Sequence, residues 1–460
     1  MSNGQEQKMM NAQETVSAIF KETLGAVSPS FLVRGYAGQI TGYMNEKNIK
    51  RLIVAGFGKA SYHMAAALRD ELDDGMVSDG IVITKYGHAQ LQGPGTRGQG
   101  SGEIGNIKIY EAGHPIPDEN GIRATESLRE LLRTADENDL VVCLVSGGGS
   151  ALLVSPYEGI GLKEKQQITD LLMKSGADIV ELNAVRKHLS RVKGGRLAEI
   201  AWPAEVLSLM ISDVIGDPLD VIASGPTAPD HSTFQDALDS IGKFNLMEKA
   251  PKRVMDILKS GVAGDIPETP KKENQIFKNV QNIIIGSNKK AIEAAQMYAR
   301  SEGLDVEVLS TEITGVARDV GIWLAQKAIE AKALREKGAK GRRDRRPKCF
   351  LSGGETTVVV TGGGKGGRNT ELALSFAMEI EGIEGVTLLS AGTDGTDGPT
   401  DAAGAIVDGD TIVRGRAKGL DPHEYLDRND SYTFFKQTDS LLITGPTGTN
   451  VMDVQIIVIE

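Results

Sequence analysis

Three glycine-rich stretches, each starting where an apolar run ends, carry the side chains best able to do chemistry. The first, GFGKAS (Gly56 to Ser61), sets Lys59 at the entry of a helix, a point charge beside aligned N–H donors that suits an anion. In the second, VSGGGSALL (Val145 to Leu153), Ser146, Gly147, Gly148, Gly149 and Ser150 can curl successive amides into an anion-binding nest. The third, LSGGETTVVVTGGGKGGRNTELAL from Leu351, places seven glycines around two short apolar runs, with Glu355 early and Arg368, Asn369 and Glu371 at its close. Glycine inside a regular element costs roughly 0.5–1 kcal/mol relative to alanine, so such a cluster predicts backbone at positive φ or pressed against a ligand.

Further polar groups follow the same grammar. NAVRKHLSRVKGGRLA from Asn183 carries Arg186, Lys187, His188, Arg191, Lys193 and Arg196, which could face a carboxylate or phosphate or form a solvated helix face. Asp213 comes directly after the apolar run VLSLMI, where a carboxylate can reach a site at the end of a sheet. SAGTDGTDGPTDAAGA spaces Asp394, Asp397 and Asp401 in a loop that could hold Mg²⁺ through one or two carboxylates and substrate oxygens, or could be a set of Asx turns. An EF-hand is excluded, because no glutamate closes the loop.

Other chemistries fit less well. GFGKAS could open a dinucleotide site, but Ser61 replaces the third glycine and the following run GIVITKYG ends in Lys85 where an acid would bind a ribose hydroxyl. A P-loop is excluded by the glycine spacing. VSGGGS is not the G-x-S-x-G elbow of hydrolases, since its serines flank the glycines. Together the nests, cations and loop aspartates call for a phosphate-bearing ligand and a divalent metal.

The elements that must position these groups are short β-branched runs, each ending in a glycine turn and followed by helical periodicity, as in RLIVAGFGKASYHMAAALRDEL and NIIIGSNKKAIEAAQMYA. That pattern predicts an α/β protein with largely parallel sheets, covered on both faces, and ligands beyond the carboxyl ends of strands. With 460 residues the chain exceeds what one core usually serves, so two domains are expected. The Pro-, Gly- and charge-rich stretch SGVAGDIPETPKKENQIFKN places the break near residue 270, giving domains at 1–270 and 275–460. LQGPGTRGQGSGEIGN from Leu91 and the basic run LREKGAKGRRDRRPK from Leu334 are expected to be solvated insertions without function.

A net charge of −11 argues against a nucleic-acid surface while leaving room for a local basic pocket. Cys143 and Cys349 lie in apolar runs and are expected to be buried thiols in a reducing compartment. Neither a secretory or organellar leader nor an apolar run of membrane length is present, so a cytoplasmic protein without membrane contact is expected.

In order along the chain, GFGKAS, VSGGGSALL, RKHLSRVKGGRLA, SDVIGDPLDVIASGPT, LSGGETTV, GGGKGGRNTELAL and SAGTDGTDGPTDAAGA resemble the glycerate 2-kinase family with a C-terminal MOFRL domain, from about Arg51 to Asn450. The resemblance implies phosphorylation of D-glycerate by ATP with Mg²⁺ to give 2-phosphoglycerate. It also implies an N-terminal Rossmann-like α/β/α domain, a smaller mixed α/β C-terminal domain, an active site in the cleft between them, and leaves room for a homo-oligomer. By resemblance, Lys59 and Arg368 are the cations on the transferring phosphoryl group and Ser146 to Ser150 hold glycerate or its nascent phosphate, with Lys193, Glu355 and Asn369 among the binding residues. Asp213 would orient the substrate hydroxyl or take its proton, and Asp394 and Asp397 are candidate metal ligands. The competing expectation is an NAD(P)H-dependent hydroxypyruvate reductase, a label this family has also carried.

Overall fold

A computed structural model describes residues 10–89, 101–337 and 346–460. Most of the insertion from Leu91 and most of the basic run from Leu334 lie outside these residues. The chain divides into two compact units, one formed by Pro29–Gly286, the other by Met1–Ser28 with Ser287–Glu460.

The first unit is built on seven strands: β1 (Arg51–Phe57), β2 (Val77–Lys85), β3 (Ser101–Ile104), β4 (Ile107–Ala112), β5 (Asp139–Val145), β6 (Glu205–Ile211) and β7 (Val280–Gly286). They lie in the order β3-β4-β2-β1-β5-β6-β7, parallel except for β3 against β4. All seven residues of β5 are buried, as a strand covered on both faces requires. β1 leads to β2 on one side and borders β5 on the other, so the order reverses between β1 and β5. At such a switch point an open α/β sheet has a crevice beyond its carboxyl ends. A second apolar cluster joins the helices Leu162–Lys174, Ile179–His188, Phe234–Lys243 and Lys252–Val262 through Ile168, Leu172, Val185, Phe234, Ile241 and Leu258.

The second unit holds β8 (Asp305–Ile313), β9 (Lys348–Gly354), β10 (Val386–Gly392), β11 (Gly404–Asp408), β12 (Leu441–Leu442) and β13 (Asp453–Ile459), in the order β12-β11-β10-β13-β9-β8. Only β8 and β9 are parallel; β13 inserts antiparallel between β9 and β10. The expectation of largely parallel sheets therefore holds for the first unit and not for the second, because the last strand re-enters the middle of the sheet. Helices Ala12–Ala26 and Asn288–Ser301 pack on one cluster with Val454, Ile456 and Val458, while Ala317–Lys337 and Arg368–Glu379 pack on another with Ile457 and Ile459.

The break is not near residue 270. The Pro- and Gly-rich stretch is a loop of the first unit, because β7 beyond it pairs with β6 from Val206↔Val280 to Ile211↔Gly286, and the division falls at Gly286/Ser287. The N-terminal helix Ala12–Ala26 belongs with the C-terminal unit, an arrangement no local signal carries. Among the described residues no helix is long and apolar enough to cross a membrane. Both cysteines are buried and unpaired, and burial pushes each thiol up to about 12.

Candidate active site

The turns after β1 and β5 are locked to each other by backbone. Ser146 N–H donates to Phe57 O at 3.2 Å, Lys59 N–H to Gly147 O at 2.9 Å, and Ala60 N–H to Ser146 Oγ at 3.0 Å. Gly58 at φ +132° lies so close to Ser146 that any side chain would overlap it. Ser146 is thus a brace between the turns, buried at 3% exposure. The same packing covers the face of Gly58, where a dinucleotide fingerprint needs an open approach for a pyrophosphate.

Gly147 and Gly148 bring the polar groups together. A methyl group on Gly147 would collide with the Asp213 carboxylate; one on Gly148, at φ +83°, would stand 2.9 Å from His114 Cδ2 and 3.3 Å from Lys59 Cγ. Lys59, Asp213 and His114 therefore meet around a turn that only glycine fits. Sequence reasoning missed His114, which sits in the loop HPIP after β4. Burial, with Lys59, Lys85 and His88 nearby, lowers its pKa to about 4, so it is neutral at physiological pH.

Ser150 continues the site. Its Oγ lies 2.8 Å from Ser224 Oγ, which donates to Asn183 Oδ1 at 3.1 Å. Ala223 and Ser224 take left-handed φ values of 51° and 64°, local strain of the kind held in place where function needs it. Lys193, fully buried, donates to Ser150 O at 2.8 Å, Ser150 Oγ at 3.3 Å and Ala223 O at 3.4 Å. Burial, with Lys165 and Arg186 nearby, holds its pKa well below the usual lysine range. From Gly148 and Ser150 opens a cavity of about 730 Å³, also lined by His114, Lys165, Arg186 and Lys193. Lys165, on the helix Leu162–Lys174, is a second residue missed in the sequence.

The other basic residues of 183–198 are spent on the fold. Lys187 sits 3.1 Å from both Asp220 and Asp230, Arg191 reaches Glu126 at 3.2 Å, and His188 packs on Phe234 with Nε2 3.2 Å from Glu268. Arg196 donates to Pro267 O and stacks over Tyr157.

In the second unit, Arg368 begins the helix Arg368–Glu379 and forks onto Asp453, Nε to Oδ2 at 2.5 Å and Nη2 to Oδ1 at 2.9 Å, with Nη1 2.8 Å from Glu355. Burial opposes the guanidinium charge, but these carboxylates outweigh it and raise its pKa above the ordinary arginine value. Asp453 is fully buried, which lifts its pKa to about 6 against the pull of Arg368, so it is ionised at neutral pH. Asn369 is buried, its Oδ1 accepting from Ser390 Oγ at 2.8 Å.

Asp397 caps that helix, one oxygen accepting from Asn369 N–H at 2.9 Å and the other from Thr370 N–H at 2.8 Å and Thr370 Oγ1 at 2.7 Å. Asp401 accepts from Tyr432 Oη at 2.6 Å. Asp394 is half-buried, and its Oδ1 takes a hydrogen bond from Thr396 N–H at 3.0 Å. Among the described residues no three His, Cys, Asp or Glu side chains gather as a metal centre. A Mg²⁺ held mainly by phosphates and water needs only one or two carboxylates, and Asp394, with one oxygen accepting no hydrogen bond among the described residues, fits that better than the capped Asp397.

In the run Gly362–Gly367, every glycine but Gly363 approaches protein. Side chains on Gly362, Gly364 and Gly366 would strike Arg428, Asp430 and Ser431, and one on Gly367 would strike Asp397. Asn429 anchors this loop, its Oδ1 accepting from Thr361 and Gly362 N–H at 2.8 and 2.9 Å and its Nδ2 donating to Glu371 at 3.0 Å. Glu371 also meets Arg318 at 3.3 Å, which makes it a buried strut.

The first unit is thus a doubly wound α/β fold with a cavity lined by lysine and arginine beside the turn after β5. Residues 15–259 match a domain of unknown function (DUF4147), and residues 348–453 match the MOFRL family. The chain is 45% identical over 436 residues to a D-glycerate 2-kinase of Thermotoga maritima, covering 95% of both chains. A Thermotoga maritima glycerate kinase crystal structure superposes with a TM-score of 0.84 at 44% identity, covering 97% of this chain and 99% of that one. An Agrobacterium vitis protein, provisionally named a hydroxypyruvate reductase, is 42% identical over 89% of this chain and 99% of its own. The chain belongs to the glycerate 2-kinase family with a C-terminal MOFRL domain.

Proposed function

We propose that the chain transfers the γ-phosphoryl group of ATP to the 2-hydroxyl of D-glycerate, giving 2-phosphoglycerate and ADP. The observation that carries this reading is the Gly147–Gly149 turn, which draws Lys59 and Asp213 to the switch point beside a cation-lined cavity. Asp213 orients the 2-hydroxyl and takes its proton as the O2–P bond forms and the bond from Pγ to the β-phosphate oxygen breaks, the electron pair leaving with ADP. Lys59 neutralises charge on the transferring group, and the amides of Gly147 and Gly148 hold substrate oxygens. Mg²⁺ entering with the nucleotide would supply further neutralisation of the phosphates.

The reductase reading draws on the name of the Agrobacterium vitis relative and on the sheet topology. Against it stand the covered face of Gly58 and Lys85 at the end of β2. The kinase reading predicts that ¹³C-labelled D-glycerate incubated with ATP, Mg²⁺ and the full chain gains a phosphorus coupling at C2. Coupling at C3 would move the acceptor to the other hydroxyl, and no coupling would refute the reading.

A further inference from the structure

Four cations line the cavity beyond Gly148 and Ser150, the exposed Lys163 together with Lys165, Arg186 and Lys193, and among the described residues no carboxylate pairs with them. Lys165 is 5% exposed, and its Nζ has no hydrogen-bond partner among the described residues. Burial alone disfavours the charge of Arg186, while burial and Arg186 together disfavour that of Lys165; no acid contributes to either. Asp170 also borders the cavity but pairs with Lys174 at 2.8 Å. Lys193 already spends its three donors on Ser150 and Ala223, so it positions the serine. Among the described residues, the donors left free by the cations that are not fully exposed are those of Lys165 and Arg186.

A buried ammonium beside a half-buried guanidinium, without a counter-charge, costs stability, and an anion entering the cavity relieves that cost. The acid substrate carries one permanent anion, next to the carbon whose hydroxyl reacts. A guanidinium fork matches a carboxylate in two parallel hydrogen bonds, and the ammonium adds a third. The rest of the lining mixes apolar Pro115, Pro117, Ala151 and Met173 with the neutral polar Gln166, Gln167 and Thr169, which suits a short hydroxylated carbon chain better than a second charged group.

We infer that Lys165 and Arg186 are the specificity-determining pair that binds the carboxylate of the 2-hydroxy acid, an inference that rests on the kinase reading for the identity of that acid. The pair explains how an acid is told from the matching alcohol or amide: a neutral group would leave both cations buried without a partner.

The groups facing Lys165 are Arg186 and Lys193 from their own segments, His114 from the loop after β4, and Lys163 and Asp170 from its own helix. His114 is neutral near pH 7, and Lys165, depressed to about 7, is partly neutral there. Carboxylate binding therefore draws a proton onto Lys165, so binding at pH 7.5 is accompanied by proton uptake and KM for D-glycerate rises as pH climbs above 7.

The test uses the full-length protein, wild type against Lys165→Met, Lys165→Arg and Arg186→Gln. Lys165→Met and Arg186→Gln should each raise KM for D-glycerate by about 30-fold, the scale of a lost charge-assisted hydrogen bond, with KM for ATP unchanged and kcat within about threefold. Lys165→Arg, which keeps the charge, should recover most of the loss. Calorimetric titration of the wild type with D-glycerate, in two buffers of different ionisation enthalpy, should show proton uptake at pH 7.5, and Lys165→Met should abolish it. Unchanged KM for D-glycerate in both charge-removing variants overturns the inference, as does absence of proton uptake in the wild type, a result that needs no variant to fold. A rise confined to KM for ATP would give the pair to the nucleotide phosphates and overturn it too. Wild-type protein that binds D-glycerate with proton uptake but does not phosphorylate it would uphold the carboxylate pair while refuting the kinase reading.

Discussion

Arg368 and Lys165 are both cations set against glycine-rich turns, and their surroundings are opposite. Arg368 has Asp453 on two of its nitrogens and Glu355 on the third; Lys165 Nζ meets no acceptor among the described residues. Burial opposes both charges, yet the arginine is held above its usual range while the lysine falls to about 7. An ion pair fixes where a guanidinium points but leaves little net charge for a ligand, whereas an unpaired buried ammonium is an electrostatic debt that an anion settles. The same contrast divides one dipeptide: Lys187 is bound to Asp220 and Asp230, while its neighbour Arg186 faces the cavity.

The largest expected effect falls on the cation proposed to touch the transferring group. Lys59→Ala should lower kcat by about 10² or more, as positioned charge on a phosphoryl group is worth several kcal/mol in a site that excludes water. If Lys59→Ala leaves kcat near the wild-type value with circular dichroism unchanged, Lys59 only tops a surface turn, and the comparison narrows to Lys165 against Arg368.

A smaller effect concerns stability and sharpens the contrast from the other side. The folded-state pKa of Lys165, about 7, lies below the unfolded value of 10.5. Between these the unfolded chain holds more protons, so stability rises with pH through that window, and the full cost of the buried ammonium is felt below pH 7. Lys165→Met should therefore stabilise the free protein by about 1–2 kcal/mol at pH 6.5, a Tm gain of roughly 3–6 °C, and by much less at pH 10. Thermal unfolding of both proteins at the two pH values checks this; an equal gain at both would mean that the methionine merely packs better.

Much of this was legible in the sequence, and the gaps have physical causes. Apolar runs ending in turns located β1, β2, β5, β6 and β7 of the first sheet, though not β3 and β4, and placed Lys59, the Ser146–Ser150 turn and Asp213 at strand ends, since those signals are local. Lys165 was hidden because LKEKQQITDLLMK has the pattern of an amphipathic helix, in which one lysine looks like another until the fold decides which is buried. Arg186 and Lys187 could not be separated, because what distinguishes them is Asp220 and Asp230, more than thirty residues away. The glycines at 362–367 were expected at positive φ or against a ligand; Gly362, Gly364 and Gly366 serve close packing against 428–431, an equally valid use of a missing Cβ that spacing cannot tell apart. The break expected near 270 failed because a loop between two strands of one sheet has the same composition as a linker.

The central claim is that the switch-point site performs phosphoryl transfer to glycerate and not hydride transfer to a keto acid. One preparation of the full-length protein can be assayed in parallel for ADP release with ATP, Mg²⁺ and D-glycerate, and for NADH or NADPH oxidation with hydroxypyruvate. The account predicts ADP release that depends on D-glycerate and no oxidation of either nicotinamide; nicotinamide oxidation without glycerate-dependent ADP release would contradict it.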